Sequence, residues 1–337
     1  KTAEQLASAG EVRIAGRFRY EDNKQVNGQG LQFNAASFGW QDGSQRVSFA
    51  DFAATGTLQQ GIAGELRLPS ADLQLRAARF EFEDTQGGLS VALDGLEAEG
   101  LKLRPVEDGD GSRQIEGRLS VAASRVGQAD TVLNLSALVV DLGGSAGLTE
   151  VQIVSDASIG ELRLESPMLA NGPLQIATIS AEGLQLGTES EFQTLKLQGI
   201  ELAGDLPETG LKVATLSFSD GSYAAEKGVD VGEIVIDGLQ TAVIRDKSGQ
   251  WRHPGTAVQT QEPKSKQEQA AQETPADPQG LNWRVGRLSV TGDSYITTGD
   301  RTNPAAVLQR NRIDVLTFGE LASARPDQDT PFEIGMH

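Results

Sequence analysis

Apolar and polar residues alternate along most of this chain. The alternation is clear at Leu66-Arg67-Leu68, Leu101-Lys102-Leu103 and Leu133-Asn134-Leu135, and Gly, Asp, Thr or Ser recurs every few residues. A period of two residues is typical of half-buried β-strands, and apolar stripes with the helical period are nearly absent. The pattern predicts an all-β protein, a long curled antiparallel sheet of short bulged strands with an apolar inner groove and few or no helices.

The alternation is interrupted once. It continues from about residue 11 to residue 245, fades between His253 and Gly280, and resumes at Trp283. The interrupting segment is polar and cannot bury enough apolar surface to offset the entropy cost of ordering it. We therefore expect a repetitive β-sheet segment over residues 1–252, a polar mobile loop over residues 253–280, and a continuation of the sheet over residues 281–337.

One eight-residue pattern recurs: apolar, x, apolar, x, Gly, apolar, x and a further, mostly apolar residue. Its glycines are Gly95, Gly183, Gly199 and Gly238, and a truncated form ends at Gly292. In a regular strand the apolar residues before and after the Gly would face opposite sides. One inserted residue, a β-bulge, restores a common face, and Gly tolerates the backbone that a bulge requires. The other interpretation is a tight turn at each Gly, between two short strands.

Stacked bulged strands would curl a sheet around one apolar face, and that face has to be covered. The sheet either closes as a sandwich or barrel, or leaves a groove for an apolar ligand. In the groove interpretation, an apolar ligand would lie against rows of inward-facing side chains. The candidate groove residues are Leu195, Leu197, Ile200, Leu202, Leu211, Val213, Leu216, Phe218, Ile234 and Ile236.

Composition narrows the choice of partners. The chain has 337 residues, a formal net charge of −18, 5% aromatic residues and no Cys. The negative charge argues against nucleic acid as a partner and against docking of a polybasic patch onto anionic lipid. The lack of Cys excludes disulfides and thiolate metal sites. The few aromatic residues argue against polysaccharide binding, and we expect a local core from Phe33, Phe38, Trp40, Phe49 and Phe52.

Three constellations resemble catalytic or metal sites, and none is complete. Gly143–Gly147 matches the Gly-x-Ser-x-Gly turn of hydrolases, but a strand rather than the required helix is predicted to follow, so a flexible turn is favoured. Asp108–Ser112 resembles the start of a calcium loop but lacks the Gly and Glu that such a loop requires. Glu81 and Glu83 share one strand face, which is typical of a solvated surface. We therefore expect no enzyme activity, no metal and no cofactor.

The stretch from about Val231 to Glu333 resembles a known family. Residues 231–244 form a strand, Gly, strand pattern, and Arg245-Asp246-x-x-Gly249-x-Trp251 follows. The polar segment 253–280 comes next, and then a strand and Gly pattern begins at Trp283. This order is similar to that of AsmA-like proteins. The resemblance implies an envelope protein of Gram-negative bacteria that guides phospholipids between the inner and outer membranes along an apolar β-groove.

The resemblance also implies a location and partners. It places the chain in the periplasm, within a longer protein anchored in the inner membrane, with envelope proteins of both membranes as partners. Residues 1–10 do not contain the apolar stretch that a signal peptide requires, and no segment has about 18 consecutive apolar residues. The alternative function is a closed structural or interaction module of the envelope with no lipid path. Ile200→Asp should keep an open groove folded but should unfold a closed, dry core.

Overall fold

The computed structural model describes residues 6–7, 12–21, 25–61, 69–106, 112–147, 151–169, 171–187, 189–204, 206, 209–225, 227–254, 282–303, 307–323 and 329–337. Every regular element in these ranges is a β-strand, which confirms the all-β prediction. No helix in the same ranges is long and apolar enough to cross a membrane.

The chain divides into two compact units. Unit 1 comprises Lys1–Ser166 and Leu174–Gly199, and unit 2 comprises Pro167–Pro173 and Ile200–His337. The division after Gly199 falls inside the segment 1–252 that the sequence predicts as one sheet. Residues 255–280 of the predicted loop lie outside the described residues.

Unit 1 is an antiparallel meander. Its strands are β1 (Leu6–Ala7), β2 (Val12–Glu21), β3 (Gln25–Asp42), β4 (Gln45–Gly61), β5 (Ser70–Asp84), β6 (Leu89–Pro105), β7 (Arg113–Gln128), β8 (Thr131–Ala146), β9 (Val151–Ile159), β10 (Glu161–Glu165), β11 (Leu174–Leu186) and most of β12 (Ser190–Leu202). Consecutive strands pair from β2 to β9. β9 and β10 lie in line between β8 and β11, and β1 pairs with the end of β3.

Unit 2 contains a mixed sheet. Its strands are the end of β12, β13 (Leu211–Ala224), β14 (Gly228–Arg245), β15 (Trp251–Arg252), β16 (Trp283–Thr291), β17 (Ser294–Asp300), β18 (Gln309–Phe318), β19 (Leu321–Ala322) and β20 (Phe332–Met336). β14 pairs antiparallel with β13 but parallel with β16 and β17, which differs from the predicted antiparallel sheet. The long connection between β15 and β16 allows this, because a parallel pair needs about a dozen linking residues or more.

The strands are longer than the sequence predicts, because Gly lies inside them. β3 and β14 each have 18 residues. Gly95, Gly183, Gly199 and Gly238 lie within β6, β11, β12 and β14, with φ angles between 62° and 66°. The tight-turn interpretation is therefore wrong at these four positions. The inserted residue of a bulge is present at Gly183, where the register shifts, but not at Gly95 or Gly238, where it continues unchanged. Gly292 lies between β16 and β17, so the turn interpretation holds there.

The residue pairing of six strands in unit 1 is interrupted at one level, which we call the crease. The crease consists of Ala36, Asp51, Ala78, Gly95, Ala122 and Ala137 on β3 to β8. Strand register continues through it without a shift. φ is positive on every second strand, at 48° for Asp51, 63° for Gly95 and 48° for Ala137. The alternation of side chains changes phase at the crease. Apolar residues three positions apart across it, such as Leu93 and Leu96, therefore lie on the same face.

Alanine lies opposite three of these glycines, Gly95, Gly199 and Gly238, on the neighbouring strand. A Cβ on Gly95 would lie 2.9 Å from the Cβ of Ala122, and a Cβ on Gly238 would lie 2.8 Å from the Cβ of Ala214. Both the positive φ and the lack of space therefore require Gly at these positions.

A second line of bulges does shift the register. Gly30, Gly100 and Gly183, all with φ near +60°, each add one residue to one strand opposite a single residue of its partner. Bulges of this kind bend a strand and increase its twist. Unit 1 is therefore bent at two levels along its strands.

Candidate functional site

The apolar residues of unit 1 form four rows that cross the strands on one face. Rows 1 and 2 lie on one side of the crease, and rows 3 and 4 on the other; each follows the residue pairing from strand to strand. Row 1 consists of Trp40, Val47, Phe82, Val91, Val126, Leu133, Leu164 and Leu174. Row 2 consists of Phe38, Phe49, Phe80, Leu93, Ser124, Leu135, Leu162 and Ile176. Row 3 consists of Ala35, Phe52, Ala77, Leu96, Val121, Leu138, Ile159 and Ile179, and row 4 of Phe33, Ala54, Leu75, Ala98, Leu119, Val140, Ala157 and Ala181.

The side chains of these rows are sheltered but mostly not buried. None of them is fully exposed, yet among the larger ones only Val121 and Ile176 are buried. A second layer packed on this face would bury the Phe and Leu side chains as well. A half-buried apolar face of this extent is typical of an interaction or ligand site.

The predicted aromatic core is part of this face. The ring centroids of Phe49 and Phe80 are 5.0 Å apart, and Phe52 lies 5.6 Å from both Phe49 and Phe33. The rings contact one another across the crease and remain half-buried. They therefore form a cluster within the rows rather than a closed core.

Charged side chains occupy the opposite face. Arg79 lies 2.8 Å from Glu81 and 3.8 Å from Asp94, and Arg118 lies 3.6 Å from Asp141, all at least half-exposed. Exposed ion pairs of this kind contribute about 0–1 kcal/mol each. Their effect is to keep this face hydrated, so the unit 1 sheet has one apolar and one charged face.

Unit 2 has two rows of the same kind. Row A follows the direct pairing of Phe218, Ile234, Leu288, Phe318 and Phe332. Row B follows the pairing of Leu216, Ile236, Val290, Leu316 and Ile334. Val290 is buried, the members on β13, β14 and β18 are half-buried, and those on β20 are exposed.

The ten predicted lipid-binding residues fall on these faces to different degrees. Leu216, Phe218, Ile234 and Ile236 pair directly in rows A and B. Leu211 and Val213 precede them on β13, and Ile200 and Leu202 end β12 within unit 2. Leu195 and Leu197 belong to unit 1, in which β12 lies beside β11 through the Thr178–Gln198 hydrogen bond of 3.0 Å.

Ile200 is a poor reporter of lipid binding. Its side chain is only 8% exposed. A carboxylate placed there would be costly with or without a lipid path. The Ile200→Asp substitution therefore does not separate an open groove from a closed core, and half-buried row members serve better.

Sequence reasoning missed the rows of unit 1 and the part of rows A and B on β16, β18 and β20. The signal was present, since Phe80 and Phe82 alternate with Glu81 and Glu83. Alternation along one strand shows which residues share a face of that strand. Only the pairing between strands shows which of these residues become neighbours in a row.

The Arg-Asp-x-x-Gly-x-Trp motif closes the turn between β14 and β15. The Asp246 carboxylate accepts hydrogen bonds from Ser248 Oγ and from the backbone N–H groups of Ser248 and Gln250, and it pairs with Arg252 at 2.7 Å. The Ser248 hydroxyl and the Arg252 guanidinium hold the pKa of Asp246 well below its usual range. This part of the family resemblance therefore has a structural role in the turn.

The candidate catalytic and metal constellations are not completed within the described residues. Gly143–Ala146 lies inside β8 and pairs with β9, so the flexible turn predicted there is wrong. The His253 ring contacts the carbonyl oxygen of Pro254, and that of His337 lies 2.6 Å from Asp314. Asp108 and Asp110 lie outside the described residues. Within the described ranges, no group of three or more His, Asp or Glu side chains could hold a metal ion.

Comparison with family models, curated proteins and solved structures finds no match to this chain.

Proposed function

We propose that this chain is a non-catalytic lipid-conducting segment, on which phospholipid acyl chains lie against the apolar rows while the head groups remain in water. The observation that carries the proposal is the half-buried state of the large side chains in rows 1 to 4. A dry, closed core would bury them, and a purely hydrated surface would not carry them.

The chemistry of the rows fits passage rather than tight binding. Their side chains are aliphatic or aromatic, and Ser124 is the one polar member of rows 1 to 4. Such a face offers many similar contacts and few polar anchors, so a lipid can move from one position to the next at little cost. Modest affinity for each lipid is what conduction requires, because each lipid must also leave.

The resemblance to AsmA-like proteins supports the cellular setting. On this proposal the chain works in the periplasm, as part of a longer protein anchored in the inner membrane. Its partners are then phospholipids and envelope proteins of the inner and outer membranes. No step of this function needs a catalytic residue or a cofactor.

Lipid extraction and native mass spectrometry of the purified chain test the proposal. We expect phospholipid to co-purify, and Val126→Asn with Leu133→Asn, adjacent in row 1, to remove it. The two changes remove about 3 kcal/mol of apolar contact, on the order of a hundredfold in affinity. The matched control is Ala123→Asn with Ala137→Asn on the exposed face of the same strands, where Asn tolerates the positive φ of Ala137.

The control variant should retain lipid at the wild-type level. A lipid-free, cooperatively folded wild-type protein would favour a structural or interaction module of the envelope over lipid conduction. Equal loss of lipid from both double variants would also contradict lipid binding on the rows, because substitutions on the opposite face would then have the same effect.

A further inference from the structure

The charged face of unit 1 contains a shallow cleft over the middle of the sheet. Its floor is formed on β6 by Ser90 and Ala92, which have small side chains. Glu81 and Glu83 on β5 border the floor on one side, and Arg125 on β7 borders it on the other. Because neighbouring strands lie about 4.8 Å apart, the backbones of the acidic and basic borders are about 10 Å apart. The charged-face cleft therefore has room for a small molecule between borders of opposite charge.

A second guanidinium group completes the cleft. Arg46 on β4 lines it beside Glu83, its direct partner on β5. In the part of the chain that the structure describes, the side chains of Arg46, Glu83 and Arg125 form no ion pair and no hydrogen bond. All three residues are exposed, so the cleft offers two guanidinium groups and one carboxylate to a ligand.

Other charged side chains of this face are already paired. Glu81 pairs with Arg79 at 2.8 Å and accepts a hydrogen bond from the Ser48 hydroxyl. Arg118, on the same strand as Arg125, lies 3.6 Å from an Asp141 carboxylate oxygen. The unpaired groups of the cleft are therefore not a general property of the charged face.

The charges of the unpaired groups indicate the chemistry of the ligand. One guanidinium group is enough for the two oxygens and single charge of a carboxylate. A phosphate monoester has three acceptor oxygens and a charge of about −1.5 to −2 at pH 7, which suits the pair Arg46 and Arg125. The Glu83 carboxylate can only accept hydrogen bonds when ionised, so it suits an ammonium group.

We propose that the charged-face cleft binds a small, water-soluble molecule that carries a phosphate monoester and an ammonium group. The phosphate lies toward Arg46 and Arg125, and the ammonium group lies at Glu83. A phospholipid whose acyl chains lie on rows 1 to 4 cannot place its head group here, because the rows are on the opposite face of the sheet. The inference goes beyond lipid conduction and does not depend on it.

Isothermal titration calorimetry on the full chain tests the site, with phosphoethanolamine as the probe in phosphate-free buffer. Arg125→Gln should weaken binding by about tenfold, the loss typical of one hydrogen bond between charged groups. Arg118→Gln, on the same strand and face but outside the cleft, is the matched control and should retain the wild-type affinity. These side chains are exposed, and circular dichroism checks that each variant keeps its strand content.

Two further variants separate the parts of the site. Glu83→Gln should weaken the binding of phosphoethanolamine but not that of inorganic phosphate, because it removes only the partner of the ammonium group. Ala92→Leu fills the floor without a change of charge and should abolish binding, whereas a general attraction between charges would survive it.

A wild type that does not bind phosphoethanolamine would overturn the proposal. So would equal losses in Arg118→Gln and Arg125→Gln, or wild-type affinity in Ala92→Leu. Vesicles of phosphatidylethanolamine should not displace the probe. Displacement by these vesicles would assign the site to a lipid head group and contradict a water-soluble ligand.

Discussion

At the scale of single residues, the fold depends on glycines that meet an alanine on the neighbouring strand. Gly95 combines a φ of 63° with the Cβ of Ala122 beside it, while Gly100 on the same strand has a φ of 56° and open space around it. Substitution of each glycine by Ala therefore separates the energetic cost of the left-handed backbone from that of the contact with Ala122.

Gly100→Ala should lower the free energy of unfolding by about 1–2 kcal/mol, the cost of left-handed backbone. Gly95→Ala should lower it further, by about 1–3 kcal/mol for the added overpacking. Denaturant unfolding measures both, and Ala122→Gly in the Gly95→Ala background should restore part of the loss. Equal losses at the two glycines would mean that the contact with Ala122 does not constrain the strand.

A second residue-scale prediction concerns Asp246. Its carboxylate holds the turn between β14 and β15, so Asp246→Asn should speed trypsin cleavage after Lys247, with Asp293→Asn as an exposed control. Because the pKa of Asp246 is lowered, its contribution to stability is present above the pKa of the unfolded chain. It is lost only as pH falls through the lower folded value. Acid-stable protease digestion at pH 3.5 should therefore find the wild-type turn still protected, and rapid cleavage of the wild type there would contradict this role.

At the scale of elements, the sequence indicates what each strand is but not how it pairs. The Gly repeat predicts bulges on β6, β11, β12 and β14. The structure places each Gly inside its strand with a positive φ, but the register shifts at Gly183 and not at Gly95 or Gly238. The crease could not be predicted, because it requires the change of phase on different strands to fall at one level, and that level depends on strand register. The parallel pairing of β14 with β16 could not be predicted either. The long polar segment between them allows β16 to pair with β14 in a parallel or an antiparallel direction.

The parallel pairing can be tested directly, because the chain contains no Cys. Glu233 and Arg287 are direct partners on β14 and β16, so Glu233→Cys with Arg287→Cys should form a disulfide on mild oxidation. Glu233→Cys with Arg284→Cys, three residues out of register, should not. A gel-mobility shift and thiol titration detect the disulfide. A disulfide in the Glu233→Cys, Arg284→Cys variant but not in the Glu233→Cys, Arg287→Cys variant would indicate a different register.

At the scale of the whole molecule, charged and apolar side chains occupy different surfaces. The charged side chains that the structure describes lie mainly at exposed positions, while the aliphatic residues collect on one face of the unit 1 sheet and in two rows of unit 2. Of the ten predicted site residues, Leu216, Phe218, Ile234 and Ile236 pair directly on β13 and β14, although the sequence did not predict which residue pairs with which. The rows on β3 to β11 and β16 to β20 were not predicted, because sequence patterns do not show which strands are neighbours.

The most direct test is a photo-crosslinking scan along β6 with benzoylphenylalanine, in the presence of phospholipid vesicles. The account predicts lipid adducts at Val91, Leu93, Leu96 and Ala98, with spacings of two, three and two residues because the face changes phase at Gly95. Ser90, Asp94 and Glu97 should give none. Adducts at every position, or at none, would contradict an apolar lipid path on this face.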